Sequence, residues 1–252
     1  MKSFKDHFSS HAAGYAAYRP TYPAALVDYL GDVAPAADLA LDCGCGTGQL
    51  SVLLADRFAR VVATDASAQQ IANAQAHERV EYRTAAAEQS GLDRSIVDLV
   101  TVAQAAHWFA LDRFYAEVRR VAKPNAVFAL ITYGVLHLDE SGPDSTLQNF
   151  YSNVVGDYWP PERRHVEAGY RSLPFPFEEF KSIPSFAIEV SWSLADLVGY
   201  VDTWSAVRAA EKALGRAPIE TFHNELMQAW GDPQRRLAIT WPLSLRVGRV
   251  DP

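Results

Sequence analysis

The sequence contains only two cysteines in 252 residues, and no stretch approaches the roughly 18 apolar residues of a membrane-spanning helix. Cys43 and Cys45 stand two apart in one segment, which excludes a disulfide framework and a multi-cysteine zinc site. No metal-ligand set is expected. Positive charge is also scarce: 23 Lys and Arg face 30 Asp and Glu, for a net charge of −7. No Lys/Arg cluster supplies the basic footprint of a nucleic-acid binder. The opening Met1-Lys2-Ser3-Phe4-Lys5-Asp6-His7 has no apolar run behind its lysines, so it does not read as a secretory signal. The expectation is a cytoplasmic, soluble monomer or homodimer acting on a small molecule, with neither nucleic acid nor membrane as partner.

Hydrophobic residues are plentiful, at 49% of the chain, enough for one substantial core. Residues 1–36 form an aromatic entry segment in which Ala24 to Leu30 predicts a helix ended by Gly31. A strand–helix rhythm then occupies residues 37–134. Strands are expected at Leu39–Leu41, Val61–Thr64, Val80–Thr84, Ile96–Val102 and Ala126–Ile131. Helices are expected at Gln49–Arg60, Ser67–His77 and from Leu111 to Val121. Such alternation implies an α/β chain with a parallel sheet covered on both faces.

After Tyr133 the rhythm breaks, and residues 135–235 read as a cap with a sixth strand near 186–192. Ser193 and Asp196 have capping-box spacing at the head of a helix, and another helix spans about Pro218 to Trp230. Residues 236–250 supply a last strand, bent at Pro242. The whole chain is expected to be one domain.

The chemistry centres on Asp42-Cys43-Gly44-Cys45-Gly46-Thr47-Gly48, between the first strand and its helix. Glycines there permit positive φ and let a ligand approach backbone closely. Dinucleotide sites prefer G-x-G-x-x-G, which puts pyrophosphate at a helix N-terminus. Here the spacing is G-x-G-x-G, Asp42 leads it, and no basic residue lies near. A ligand with a cationic centre and no phosphate fits better. Asp65 ends the second strand, where an acidic side chain can accept bonds from ribose hydroxyls. A glycine triplet also serves as a structural turn, and an aspartate as a helix cap. The small Ala85, Ala86 and Ala87, followed by Glu88, and the segment from Gln104 to Trp108 converge on the same sheet edge, where open α/β sheets bind ligands.

These motifs, Leu41 to Gly48 with Asp65, Ala87-Glu88 and Gln104-Ala105-Ala106-His107-Trp108-Phe109, resemble those of class I S-adenosylmethionine-dependent methyltransferases. Tyr18-Arg19-Pro20-Thr21-Tyr22-Pro23 and Ala106-His107-Trp108-Phe109 are similar, more narrowly, to the trans-aconitate methyltransferase-like group. The resemblance implies a Rossmann-like, doubly wound, seven-stranded, mostly parallel sheet with an antiparallel last strand and a helical cap. It implies S-adenosylmethionine as methyl donor and S-adenosylhomocysteine as product. Gly44, Gly46 and Gly48, with Asp42 ahead of them, would line the donor's amino-acid portion, and Asp65 would hold the ribose. Ala66, Ala87 and Glu88 would flank adenine, Gln104 would lie beside the sulfonium, and Arg19 near the donor carboxylate.

His107 is the candidate base or positioning residue, since its ordinary pKa suits proton transfer near neutrality. Trp108, Tyr158, Trp159, Tyr200 and Trp204 offer an aromatic wall for the acceptor, although such residues at helical spacing also build cores. Arg163, with Arg164 and Arg171, can bind an acidic acceptor or simply be solvated. The resemblance favours O-methylation of a small carboxylic acid. N- or C-methylation of another metabolite, and a catalytically silent donor-binding protein, are the alternatives.

Overall fold

The computed structural model describes residues 20–250. Strands β1 (Leu39–Cys43), β2 (Arg60–Asp65), β3 (Val80–Thr84), β4 (Val97–Ala103) and β5 (Ala122–Tyr133) are parallel, in the order β3-β2-β1-β4-β5. Two-residue strands β6 (His137–Leu138) and β7 (Glu178–Glu179), the longer β8 (Ala187–Trp192) and β9 (Leu237–Arg249) complete a nine-stranded sheet among the described residues. The seven expected strands are all present, and β6 and β7 are short additions along β9.

β9 runs antiparallel to its neighbours and changes partner at Pro242. Leu237–Pro242 pairs with β8, while Leu243–Arg249 pairs with β5. Proline has no N–H to give a ladder, so the change of partner falls where one ladder bond is forfeited anyway.

Side-chain alternation shows why the central strands read as unbroken apolar runs. Ala40, Val61, Leu99, Val127, Ala129 and Ile131 enter one core. Leu41, Val62, Val100, Val102, Phe128 and Leu130 enter a second core on the opposite face. Both faces are therefore dry, as a covered parallel sheet requires. Helices α1 (Ala24–Val33) and α2 (Gln49–Leu54) cover the first face through Leu26, Leu30, Leu50 and Leu54. Helix α3 (Ala68–Ala72) follows β2, and α4 (Leu111–Val121) covers the second face through Phe114, Tyr115, Val118 and Val121. Each such side chain contributes about 1.5–3 kcal/mol through burial.

The late segment adds α5 (Ser141–Asn149), α6 (Arg163–Glu167), α7 (Leu194–Asp202), α8 (Ser205–Leu214) and α9 (Ala217–Trp230). Helices α5, α7, α8 and α9 extend the first core, where Phe150 and Phe222 stack at 3.9 Å. The Ser193–Asp196 capping box at the head of α7 is formed in both directions. Among the described residues, no helix is long and apolar enough to cross a membrane.

Strand β5 begins at Ala122, ahead of the expected Ala126, and three helix boundaries differ from expectation. Helix α1 runs through Gly31 to Val33. A Cβ at Gly31 would lie 3.0 Å from the Arg57 guanidinium, which binds Asp28 and Asp32 of the same helix. The glycine makes room for a tertiary contact and does not end the helix. Helix α2 stops at Leu54, before the expected Arg60, and the fully buried Phe58 joins the core from the turn that follows. Helix α3 stops at Ala72, because beyond Asn73 the chain turns and the Gln75 N–H bonds to the Thr47 carbonyl at 3.0 Å.

Candidate active site

The glycine loop crosses the carboxyl end of β1. Gly44, Gly46 and Gly48 all have positive φ, at 68°, 56° and 87°. The Thr64 carbonyl accepts the N–H groups of Gly44 (2.7 Å) and Cys45 (3.0 Å), tying the loop to β2. A Cβ on Gly44 would stand 2.5 Å from that of Ala105, and one on Gly48 would overlap the Tyr82 hydroxyl. Tyr82 in turn donates to the Gln75 carbonyl at 2.7 Å, so β3 braces the loop from behind. Gly46 differs: among the described residues the nearest atom to its missing Cβ, Gln70 Oε1, is 4.0 Å away. The loop is closed around Gly44 and Gly48 and open above Gly46.

Two aspartates frame this loop in unlike ways. Asp42 is 1% exposed and accepts hydrogen bonds from Ser51 (2.6 Å) and Thr101 (2.8 Å), joining β1 to α2 and β4. Burial is the main cause that pushes its pKa up to about 6, against the lowering effect of those hydroxyls. Asp65 is less enclosed and accepts one N–H on each oxygen, from Gly46 (3.0 Å) and Ser67 (2.8 Å). A carboxylate has about four lone-pair positions, so each oxygen retains one.

At the carboxyl end of β4, Gln104 is held in the left-handed region at φ 59°. Its amide donates to the Tyr133 carbonyl (2.9 Å) and accepts from Thr132 (2.7 Å), so its orientation is fixed. A non-glycine residue in that region costs about 1 kcal/mol or more and persists only where surroundings over-determine it. Gln104 and its partners supply that constraint.

His107 follows in a short 3-10 turn, Ala106–Trp108. Its Nδ1 lies 2.8 Å from the Tyr170 hydroxyl, and Trp108 packs beside the ring at 4.7 Å. Burial, then the charges of Arg163 and His165, push its pKa down to about 4. Tyr170 is fully buried, with its phenol pKa raised by burial, and has φ 60°.

The aromatic residues form one connected group on the cap. Tyr151 meets Trp159 (5.1 Å) and Trp204 (5.5 Å), and Trp204 meets Tyr200 (6.0 Å). The Arg163 guanidinium stacks 4.6 Å from the Trp159 ring, and its Nε donates to the Tyr151 hydroxyl at 3.0 Å. No carboxylate pairs with Arg163 among the described residues. The indole N–H of Trp159 is buried and has no hydrogen-bond partner among them. Tyr158 packs half-buried against the core, whereas Trp108 is 38% exposed. Arg163 and Arg171 part company: Arg171 lines a separate cavity beside β9.

On this geometry the comparisons with known proteins converge. A family model described as "Methyltransferase domain" matches residues 41–130, from the end of β1 to β5. A Dictyostelium discoideum protein assigned to the methyltransferases is 34% identical over 230 residues, covering 90% of this chain and 87% of its own. The chain belongs to the class I S-adenosylmethionine-dependent methyltransferases. A solved structure from Anaeromyxobacter dehalogenans, described as a type II methyltransferase, is 49% identical with a TM-score of 0.89. That match covers 93% of this chain and 99% of the other. A Saccharomyces cerevisiae protein classed as an S-adenosylmethionine-dependent methyltransferase is 30% identical over 131 residues, about half of each chain.

The methyltransferase loop fits its donor on two structural grounds. The space above Gly46 admits a ligand against backbone, and Asp65 beside it keeps acceptor capacity for two hydroxyls. Ala66 is exposed next to Asp65, and Ala87 is buried. Glu88 accepts the Ala110 N–H at 2.7 Å through one oxygen, at the head of α4. Arg19 lies outside the described residues. Tyr82, Thr132, Tyr151 and Tyr170 belong to the site without having been singled out in the sequence. Tyr82 carries a local hint, as the bulky residue of β3 facing a glycine. Tyr170 carries none.

Proposed function

We propose that this methyltransferase transfers a methyl group to an oxygen of a small carboxylic acid. The observation that carries this reading is the Arg163–Trp159 pair, where, among the described residues, a guanidinium without a carboxylate stacks on an indole whose buried N–H has no partner. Leaving a buried donor unsatisfied costs about 1–3 kcal/mol, and an acceptor carboxylate facing both groups removes that cost.

S-adenosylmethionine, when bound, supplies an activated methyl group that leaves sulfur by in-line displacement, with alignment as the protein's main task. In this reading Gly44, Gly46 and Gly48 line its amino-acid portion and Asp65 receives the ribose hydroxyls. Ala66, Ala87 and Glu88 flank adenine, Gln104 lies near the sulfonium, and Arg19 meets the donor carboxylate. Asp42, with both oxygens engaged, acts by holding the loop in shape through Ser51 and Thr101.

His107 supports the choice of acceptor. Its imidazole stays neutral at physiological pH and is a weak base, because burial and Arg163 oppose protonation. A weak base suits an acceptor that is already ionised, whereas a phenol or alcohol needs its proton removed. His107 then orients the acceptor, with Trp159, Tyr200 and Trp204 as walls and Trp108 and Tyr158 at the margin.

The test is a screen of labelled methyl transfer across small acids, phenols and amines. Alkali-labile ester product from acids, with KM raised in Arg163→Ala, is the expected result. Activity confined to phenols or amines would overturn the reading.

A further inference from the structure

A cavity lies along the far edge of β9. The two flanking partners of that strand leave a gap. The Leu243 N–H bonds to the Phe186 carbonyl just before β8, and the Phe180 N–H bonds to the Val247 carbonyl just after β7. Residues 181–185 between them leave the sheet, so among the described residues no strand residue opposes Leu245 on that edge. Backbone groups of alternate residues face the same edge of a strand. The peptide groups of Leu245 therefore face the gap, as those of Leu243 and Val247 do.

The gap is a cavity of about 360 Å³, at the small end of the range for small-molecule sites. Its walls carry Arg171, Lys181, Ser185, Ser244 and the Arg246–Glu179 ion pair, with Leu243 and Ile183 among its apolar parts. Arg246 has four of its five N–H groups engaged, since it also donates to the carbonyls of Tyr170 (3.1 Å) and Leu173 (2.7 Å). Arg171 and Lys181 meet no carboxylate among the described residues. In a chain of net charge −7, two unneutralised cations around one cavity mark a local preference for anions.

This cavity lies one residue away from the partner of His107. Gly169 and Arg171 both line it, and between them Tyr170 turns its phenol to His107 Nδ1 at 2.8 Å. The Tyr170 carbonyl is held by Arg246 of the cavity wall. We propose that the gap between β7 and β8 is a binding site for a small anion, carboxylate or phosphate on a short apolar body. Its occupancy bears on His107 through Tyr170. The site is distinct from the Arg163–Trp159 pair and does not rest on the acceptor assigned above.

The experiment is an NMR titration of the full chain with sodium butyrate, and separately with inorganic phosphate. Saturable shifts of the amides of residues 181–185 and 244–246 are expected, with the His107 ring resonance moving on the same isotherm. Tighter butyrate binding assigns a carboxylate ligand, and tighter phosphate binding a phosphate ligand. Arg171→Ala with Lys181→Ala should weaken binding roughly tenfold or more, the loss expected for charge-assisted bonds. Lys181→Arg should retain it, and Ser185→Phe should block it with every charge in place. No saturation by either anion, or equal affinity in the double alanine variant, would overturn the site. Saturation with a stationary His107 resonance, or a His107 shift that persists when Arg171 and Lys181 are both alanine and so reports binding at the acceptor position, would overturn the coupling.

Discussion

Two groups of the candidate site, the buried Asp42 and the half-buried His107, pull stability in opposite directions between pH 4 and pH 7, and each can be isolated by one substitution. His107 has its pKa pushed down to about 4 from the ordinary 6.5. A depressed histidine binds fewer protons in the folded chain than in the unfolded one. Its contribution is therefore complete above pH 6.5 and is lost as pH falls toward 4. At 1.36 kcal/mol per tenfold change in proton affinity, the loss approaches about 3 kcal/mol. Asp42 behaves in reverse. Its pKa is raised from the ordinary 3.8 to about 6, so the folded chain holds the proton longer. Its contribution is present below pH 3.8 and is lost as pH rises through 6, by about 2 kcal/mol between pH 4 and pH 7.

In the native chain the two effects nearly cancel. Urea unfolding at pH 4, 5.5 and 7, extrapolated to water, separates them. The stability of His107→Gln relative to wild type should rise by about 3 kcal/mol as pH is lowered from 7 to 4. The stability of Asp42→Asn relative to wild type should rise by about 2 kcal/mol as pH is raised over the same range. Titrations shared with the native chain, such as that of Glu81, drop out of both differences. Relative stabilities that stay flat to about 0.5 kcal/mol would refute the burial argument for the group concerned.

Asp65→Ala should weaken S-adenosylhomocysteine binding by about 1.5–3 kcal/mol, the loss of hydrogen bonds to a charged group. Calorimetry showing an unchanged affinity would remove Asp65 from the ribose role. Gly48→Ala should cost about 1 kcal/mol for its positive φ and more for overlap with Tyr82. Adding Tyr82→Ala should recover the steric part only, and strict additivity in that cycle would show that the two residues do not touch. Tyr170→Phe removes the hydrogen bond to His107 Nδ1. Turnover should fall with donor affinity intact, and a loss of donor affinity instead would place Tyr170 in the donor site.

The shape of the glycine loop was legible because its parts lie close together along the chain. Gly44, Gly46 and Gly48 need positive φ within one loop, and Asp65 must end the strand paired with β1. Such constraints leave a local trace in residue type and spacing. The Ser193–Asp196 box left the same kind of trace, and it formed as read. Gly31 misled because its reason is tertiary: only the position of Arg57 shows why a side chain is absent there. The hydroxyl against His107 comes from Tyr170, 63 residues away, and Arg163 and Arg171 look alike in a charged stretch until the fold separates them.

The same contrast bears on how the enzyme divides its work. In the proposed reading donor binding rests on the glycine loop, which is braced by β2, β3 and α2, elements fixed by the buried sheet. In the same reading acceptor choice rests on Arg163, Trp159 and Tyr170, which lie in the segment between β5 and β8. Loops and short helices accept substitution more readily than a doubly covered sheet. Relatives that keep the glycine loop and Asp65 can therefore differ in acceptor through this segment alone. Exchanging residues 150–173 between two such enzymes should move acceptor preference and leave S-adenosylhomocysteine affinity unchanged. Calorimetry and a methyl-transfer screen on the exchanged chains decide it, and a change in donor affinity with acceptor preference retained would contradict the division.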